Sequence, residues 1–140
     1  MTPIDEAELE AHGIQVSFSV MLNGELRFRL MHADGSGYIR TIASDDGAWQ
    51  NAHYHDSVME TYIVQEGWMG FVEQIDGDMR PGRKHPGDIV TTRPGISHNV
   101  YLPAGAVIHT VKHGPGEPDD WHEDLALDHE TKRLTEDDIR

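Results

Sequence analysis

Gly47-Ala48-Trp49-Gln50-Asn51-Ala52-His53-Tyr54-His55-Asp56-Ser57-Val58-Met59-Glu60-Thr61-Tyr62-Ile63-Val64-Gln65-Glu66-Gly67 is the stretch whose reading decides the fold. A second stretch, Gly87-Asp88-Ile89-Val90-Thr91-Thr92-Arg93-Pro94-Gly95-Ile96-Ser97-His98, adds one more histidine after a glycine. In a β-strand successive side chains alternate faces, so His53 and His55 point the same way, one pleat apart. Asp56 and Ser57 offer polar residues for a turn, and Glu60 opens the apolar run Thr61-Tyr62-Ile63-Val64. A hairpin returns that run beside the first strand with Glu60 facing the same side as the two imidazoles. His98 follows the turn signal Pro94-Gly95 and opens a third run, Val100-Tyr101-Leu102. Four side chains from three strands converge only where the sheet curls, as it does in a small barrel.

A lone His-x-His pair on a strand is ordinarily surface decoration, and ten histidines in 140 residues make chance pairs common. Here the pair comes with a carboxylate and a third imidazole. His53, His55, Glu60 and His98 form a mixed nitrogen and oxygen set suited to one divalent transition metal, whether Mn, Fe, Ni, Co, Cu or Zn. Four protein ligands on an ion that prefers six leave up to two positions for water, substrate or dioxygen.

Both stretches resemble the two sequence motifs of the cupin superfamily. The first fits at Gly47, His53, His55, Glu60 and Gly67; the second fits at Gly87, Gly95 and His98. Pro94 stands one position later than usual, and Leu102 replaces a frequent asparagine; neither is a ligand. The resemblance covers residues 37–112 and implies a small single-domain cupin, an all-β jelly-roll barrel around one metal. Cupins include isomerases, epimerases, dioxygenases, decarboxylases, lyases and sugar-binding sensors, so the resemblance leaves the reaction open. It also implies a homodimer, with Ile14–Val20 as the candidate exchanged strand.

Composition narrows the partners. The chain has no cysteine, which excludes disulfides, thiolate ligands and cysteine nucleophiles. It contains no apolar run long enough to span a membrane and no secretory signal at Met1-Thr2-Pro3-Ile4, so a soluble, cytoplasmic protein is expected. The net charge of −14 is concentrated in the tails, with −4 over 1–10 and −7 over 117–140. Nucleic acid is not an expected partner, because phosphate contacts need a basic footprint. The nearly neutral middle leaves room for a small, oxygen-rich and even anionic molecule, with the metal as the local positive charge.

The pattern predicts a short helix over 3–11 stopped by Gly13, then a half-buried strand over 14–20. Asn23-Gly24 predicts a hairpin into Leu26-Arg27-Phe28-Arg29-Leu30. Further strands are expected at 37–43, 49–55, 59–65, 67–74, 79–84, 88–92, 98–102 and 106–113, separated by turn dipeptides such as Asp76-Gly77. The chain divides into an N-terminal arm (1–13), a barrel (14–113) and an acidic, partly helical tail packed on it (114–140). Trp121 is expected to anchor that tail or a dimer contact, with a lid over the barrel mouth as the other reading. Arg27 and Arg29 share a strand face opposite the apolar one, and that face is read as solvated.

Proton transfer beside a metal needs a group other than the ligands. Tyr62 lies two residues after Glu60 and so faces the same interior; it is a candidate donor or a core residue. His109, on the last strand with Val107 and Val111 on its face, is the second candidate. Lys112 occupies the opposite face, so only one of His109 and Lys112 can point inward on a regular strand. Trp49 and Asn51 share the face of His53 and are expected to shape the pocket. These features favour isomerase or epimerase chemistry, with an iron-dependent dioxygenase or a non-catalytic, metal-assisted binding module as alternatives.

Overall fold

Alternating side chains and closely spaced turns give this chain twelve strands. The computed structural model describes residues 5–117 and 119–140. Helix α1 (Glu6–Ala11) is capped by the Asp5 side chain and buries no residue. Pro3 and Ile4, the start of the helix expected from the sequence, lie outside the described residues. There follow β1 (Ile14–Val20), β2 (Leu26–His32), β3 (Gly37–Ile42), β4 (Ala48–Trp49), β5 (His53–Tyr54), β6 (Met59–Glu66) and β7 (Met69–Ile75). The chain continues through β8 (Asp78–Lys84), β9 (Ile89–Thr91), β10 (His98–Leu102), β11 (Val107–His113), β12 (His122–Glu123) and α2 (Leu125–Thr131), ending near a 3-10 turn at Glu136–Asp138.

Two antiparallel sheets result. One runs in the order β1-β2-β3-β11-β6-β9; the other runs β12-β5-β10-β7-β8, with β4 also paired to β10. The expected barrel is therefore an open jelly roll of two facing sheets, without a closed hydrogen-bonded cylinder among the described residues. The strand expected over 49–55 is broken into β4 and β5. At the break the Gln50 amide donates to the Val100 carbonyl at 2.8 Å, and the Ala52 amide donates to the Asp128 carboxylate at 3.0 Å. Strand β12, absent from the sequence expectation, pairs His122 with Tyr54 and Glu123 with His53.

Register grades the interior from apolar to polar. Ile108 pairs with Val64, Thr110 with Tyr62, and Lys112 with Glu60, along the inner faces of β11 and β6. On the facing sheet Leu102, Val100 and His98 repeat the gradient. At the apolar end Tyr62, Val64, Met69, Phe71, Val100, Leu102, Ala106 and Ile108 form the core. The polar end opens into a cavity. Burial of the core side chains, each contributing roughly 1.5–3 kcal/mol, secures one end of the sandwich so that the other can hold charge.

The motif glycines are required by backbone geometry. Gly47 has φ +75°, and a Cβ there would lie 2.8 Å from the Tyr101 hydroxyl. Gly67 has φ +72°, with the Ala106 backbone 3.1 Å from the place of a Cβ. Both conformations and both approaches exclude larger residues. The C-terminal segment packs on the outer face of β10 and β7, burying Leu127 and Ile139 completely. The Asn99 amide donates to the Thr131 hydroxyl at 2.9 Å, and the Tyr101 hydroxyl donates to Glu136 at 2.7 Å.

Candidate metal centre

Each ligand candidate is placed by a different local cause. His53 sits on β5, directly opposite His98 of β10. His55 follows immediately, where the chain leaves the strand. Glu60 lies on β6, and its amide donates to the Thr92 hydroxyl at 2.9 Å. All four are buried, and their ligating atoms lie within 4.8 Å of one another.

The imidazoles are oriented by their other nitrogens. His53 Nδ1 donates to the Asn51 carbonyl at 2.8 Å, and His98 Nδ1 faces the Ile96 carbonyl at 3.5 Å. His55 Nδ1 donates to the Asp120 carbonyl. With Nδ1 carrying the hydrogen, every Nε2 presents a lone pair inward. The Nε2 atoms of His53 and His98 lie 3.2 and 3.6 Å from Glu60 Oε1, and His55 Nε2 contacts the same oxygen. Three nitrogen lone pairs thus face a carboxylate oxygen. Acceptors opposed in this way repel unless a cation, a metal or a proton, lies among them. The donor set fits a divalent transition ion.

The titration behaviour agrees. Burial alone would push the Glu60 carboxyl up, but His53, His55 and His98, which become hydrogen-bond donors to it when protonated at Nε2, outweigh burial and hold the group well below the usual carboxylate range. Burial depresses His53, with Glu60 opposing in part. Burial also pushes His55 down, yet the Glu60 carboxylate and the Asp120 carbonyl overcome it and leave the imidazole above its ordinary value. Of these two imidazoles, His55 is therefore the more readily protonated.

His53, His55 and Glu60 of the cluster line a cavity of ≈ 210 Å³, bounded further by Arg27, Arg29, Gln50, Tyr62, Lys112 and Trp121. Tyr62 stands where core gives way to cavity, its hydroxyl 3.5 Å from His98 Nε2. Burial, then the charge of Glu60, keep that hydroxyl protonated well above the usual phenol range. Tyr62 is thus a core side chain whose hydroxyl reaches the cavity.

His109 is not among the cavity's lining residues. It pairs across β6 with Ile63, on the strand face opposite Thr110 and Lys112, and its Nδ1 lies 2.6 Å from the Tyr38 hydroxyl. Lys112 lines the cavity instead. Valines at 107 and 111 had given the His109 face an inward appearance that the register reverses. Arg27 and Arg29 require a second correction, because the face read as solvated lines the cavity. Trp121 requires a third: it is 45 % exposed and stacks on His53 with ring centroids 5.2 Å apart, at the mouth and not as a buried anchor. Trp49 and Asn51 line an adjoining cavity with Trp121 and His53, whereas Gln50 reaches both.

Asp120 escaped sequence reasoning, since nothing in an acidic tail distinguishes it. Its carboxylate accepts the amides of Asp56, Ser57 and Val58 at 2.7, 2.9 and 2.9 Å. Burial opposes its ionisation, but those three amides hold it well below the usual carboxylate range. Asp120 thereby fixes the loop between His55 and Glu60 and, through its carbonyl, the His55 ring.

No protein-family model matches the sequence, and no curated protein matches it. Solved structures do. Oxalate decarboxylase from Bacillus subtilis superposes with a TM-score of 0.63 at 14 % identity, covering 77 % of this chain and 30 % of that one. CapF, a capsular polysaccharide assembling protein from Staphylococcus aureus, superposes with a TM-score of 0.62 at 16 % identity, covering 77 % of this chain and 32 % of its own. The chain has the cupin fold. It spans under a third of either of those proteins, and identities this low establish the fold alone. The oxalate decarboxylase has Mn(II) centres. Among the described residues no helix is long and apolar enough to cross a membrane.

Two outcomes are expected. Asp120→Ala, which keeps the carbonyl facing His55 but removes the carboxylate that fixes the loop between His55 and Glu60, lowers metal affinity about 10-fold; titration with Mn(II) or Zn(II) measures it, and an unchanged affinity contradicts the role given to the Asp120 carboxylate. Metal-dependent thermal stabilisation falls with acidity. A bound metal depresses the imidazole pKa below the unfolded value of about 6.5, so its stabilisation is complete above that pH and is lost as pH falls. Because His55 is raised in the metal-free protein, proton competition begins there, and the decline runs from about pH 6.5 or slightly above to about pH 4.5. Thermal midpoints with and without metal across that range provide the check.

Proposed function

We propose that this cupin is a mononuclear-metal enzyme acting on a small, oxygen-rich substrate by isomerase or epimerase chemistry. The observation that carries the reading is the convergence of His53, His55, His98 and Glu60, three of which (His53, His55 and Glu60) line the cavity. A divalent ion held there supplies a Lewis acid that polarises a substrate carbonyl or hydroxyl oxygen. The chain's own residues account for the rest. Tyr62 keeps an O–H available at the cavity wall, the condition for hydrogen bonding to a substrate oxygen. Trp121 narrows the mouth above His53 and limits water. Arg27 and Gln50 shape the opposite wall, each fixed by Glu25: Arg27 Nη2 donates to its carboxylate at 2.7 Å and Gln50 Nε2 at 3.1 Å. Both solved relatives by fold are named for transformations or assembly of oxygen-rich molecules, which is consistent with this class.

The test is made on protein purified without an affinity tag. One metal ion per chain is expected by elemental analysis, and His55→Ala abolishes that stoichiometry. The metal-loaded protein, under anaerobic conditions, exchanges deuterium from solvent into a hydroxycarbonyl substrate, followed by NMR. Dioxygen consumption by iron-loaded protein, without such exchange, overturns the isomerase reading in favour of an oxygenase.

We also propose that the chain pairs with a second copy through the outer face of β1 and β2. Phe18 and Val20 are 62 % and 73 % exposed, and Phe18 packs on Phe28 of the same face with ring centroids 6.4 Å apart. β1 is moreover the edge strand of its sheet. An exposed edge with an apolar face is a liability in a monomer and is ordinarily covered. Light scattering at micromolar concentration is expected to give twice the 15.7 kDa chain mass. Phe18→Asp is expected to give the monomer, and a wild-type monomer excludes the pairing.

A further inference from the structure

Arginine retains its charge when buried, so a guanidinium lining a cavity requires a partner. The cavity beside the metal cluster contains three cationic side chains, Arg27, Arg29 and Lys112. Only Arg27 is neutralised, by the fully buried Glu25 at 2.7 Å. Among the described residues no carboxylate lies within ion-pair distance of Arg29 or Lys112. The Arg29 guanidinium donates only to the Met21 sulfur, at 3.7 Å. Burial, then the neighbouring Arg27, weaken its hold on the proton. Two cations therefore stand unmatched in a cavity of ≈ 210 Å³, in a chain whose net charge is −14. Two like charges partly withdrawn from water in so small a cavity are costly without an anionic occupant.

The register fixes where that occupant's charge would lie. Lys112 pairs directly with Glu60 across β11 and β6, and with Gly37 across β3. Arg29 pairs with Ile39 on the adjoining strand. The two cations thus belong to the sheet that carries Glu60, while His53 and His98 belong to the facing sheet. A molecule bridging the cavity meets the metal cluster on one side and the positive charges on the other. The volume lies below the roughly 300–1,000 Å³ typical of drug-sized sites, which restricts the occupant to a small molecule.

We propose that the substrate is a small hydroxy- or oxo-carboxylate, its carboxylate held by Arg29 and Lys112 and its hydroxyl or carbonyl oxygen directed at the metal cluster. Arg29 offers a planar fork for a carboxylate, and Lys112 a point charge beside it. Arg27, latched to Glu25, keeps the wall rigid and contributes no net charge. The assignment rests on the metalloenzyme reading and adds the substrate class to it.

The experiment uses metal-loaded protein and isothermal titration with malate, pyruvate and glucuronate, each paired with a neutral counterpart: glycerol, hydroxyacetone and glucose. At least one acid is expected to bind ten or more times tighter than its counterpart. Arg29→Met and Lys112→Met each reduce that affinity tenfold or more while retaining one metal per chain and the wild-type thermal midpoint within a few degrees. Arg29→Lys recovers part of the affinity. If no acid is preferred over its neutral partner, or if both methionine variants bind the acid as wild type does, the carboxylate assignment is overturned while the metal reading stands. Absence of metal from wild-type protein overturns the metalloenzyme reading itself, and with it this one.

Discussion

Three imidazole lone pairs opposed to one carboxylate oxygen form the constraint around which the rest of this molecule is arranged. Leaving a buried polar group without a partner costs about 1–3 kcal/mol. Four such groups together approach the whole net stability of a domain, which is about 5–15 kcal/mol. The chain nevertheless fixes each ring so that the confrontation cannot relax, through the carbonyls of Asn51, Ile96 and Asp120. A cation is the economical solution. The raised basicity of His55 makes that ring the readier site for a proton. A metal and a proton would therefore compete for the same place.

Holding that cluster requires an interior that is rigid at one end and charged at the other. Antiparallel register achieves this with few residues. Val64, Tyr62 and Glu60 along β6 face Ile108, Thr110 and Lys112 along β11, so each step of two residues moves from core towards the site. The apolar end supplies the stability and the polar end the chemistry. Tyr62, in the middle, belongs to both.

The sequence made the four-residue cluster legible because its spacing reflects strand alternation and a turn, although the expected hairpin does not form: β5 and β6 lie in facing sheets, so Glu60 meets the imidazoles across the interior and not along one sheet. The turns were legible for a similar reason: Asp76-Gly77 adopts positive φ at both positions, 53° and 82°, the geometry of a tight hairpin whose backbone twist suits the flanking strands. What alternation does not give is which face is inside. β1 and β2 alternate strictly, yet their apolar residues point outward and Arg27 and Arg29 line the cavity. Had hydrophobicity alone decided, the arginines would face water. β11 misled in the same way, its valines beside His109 suggesting an inner face that belongs to Thr110 and Lys112. Trp121 and Asp120 were hidden for another reason: they act from a loop, where no periodicity marks position.

The outward apolar face and the inward charge are two sides of one strand pair. If Phe18, Val20 and Phe28 were turned inward, no cation on β2 could reach the cavity, because alternation assigns every second residue to each side. Placing Arg27 and Arg29 beside the metal cluster thus forces an apolar surface outward on the same strands. At physiological ionic strength charges are screened beyond about 8 Å, so the acidic tails hardly oppose an anion once it has reached the mouth. Inside, with fewer water molecules and lower effective dielectric, the same cations act far more strongly than they would at a surface. The inverted pattern of β1 and β2 is then a single structural decision with two effects, a charged inner wall and an apolar outer one.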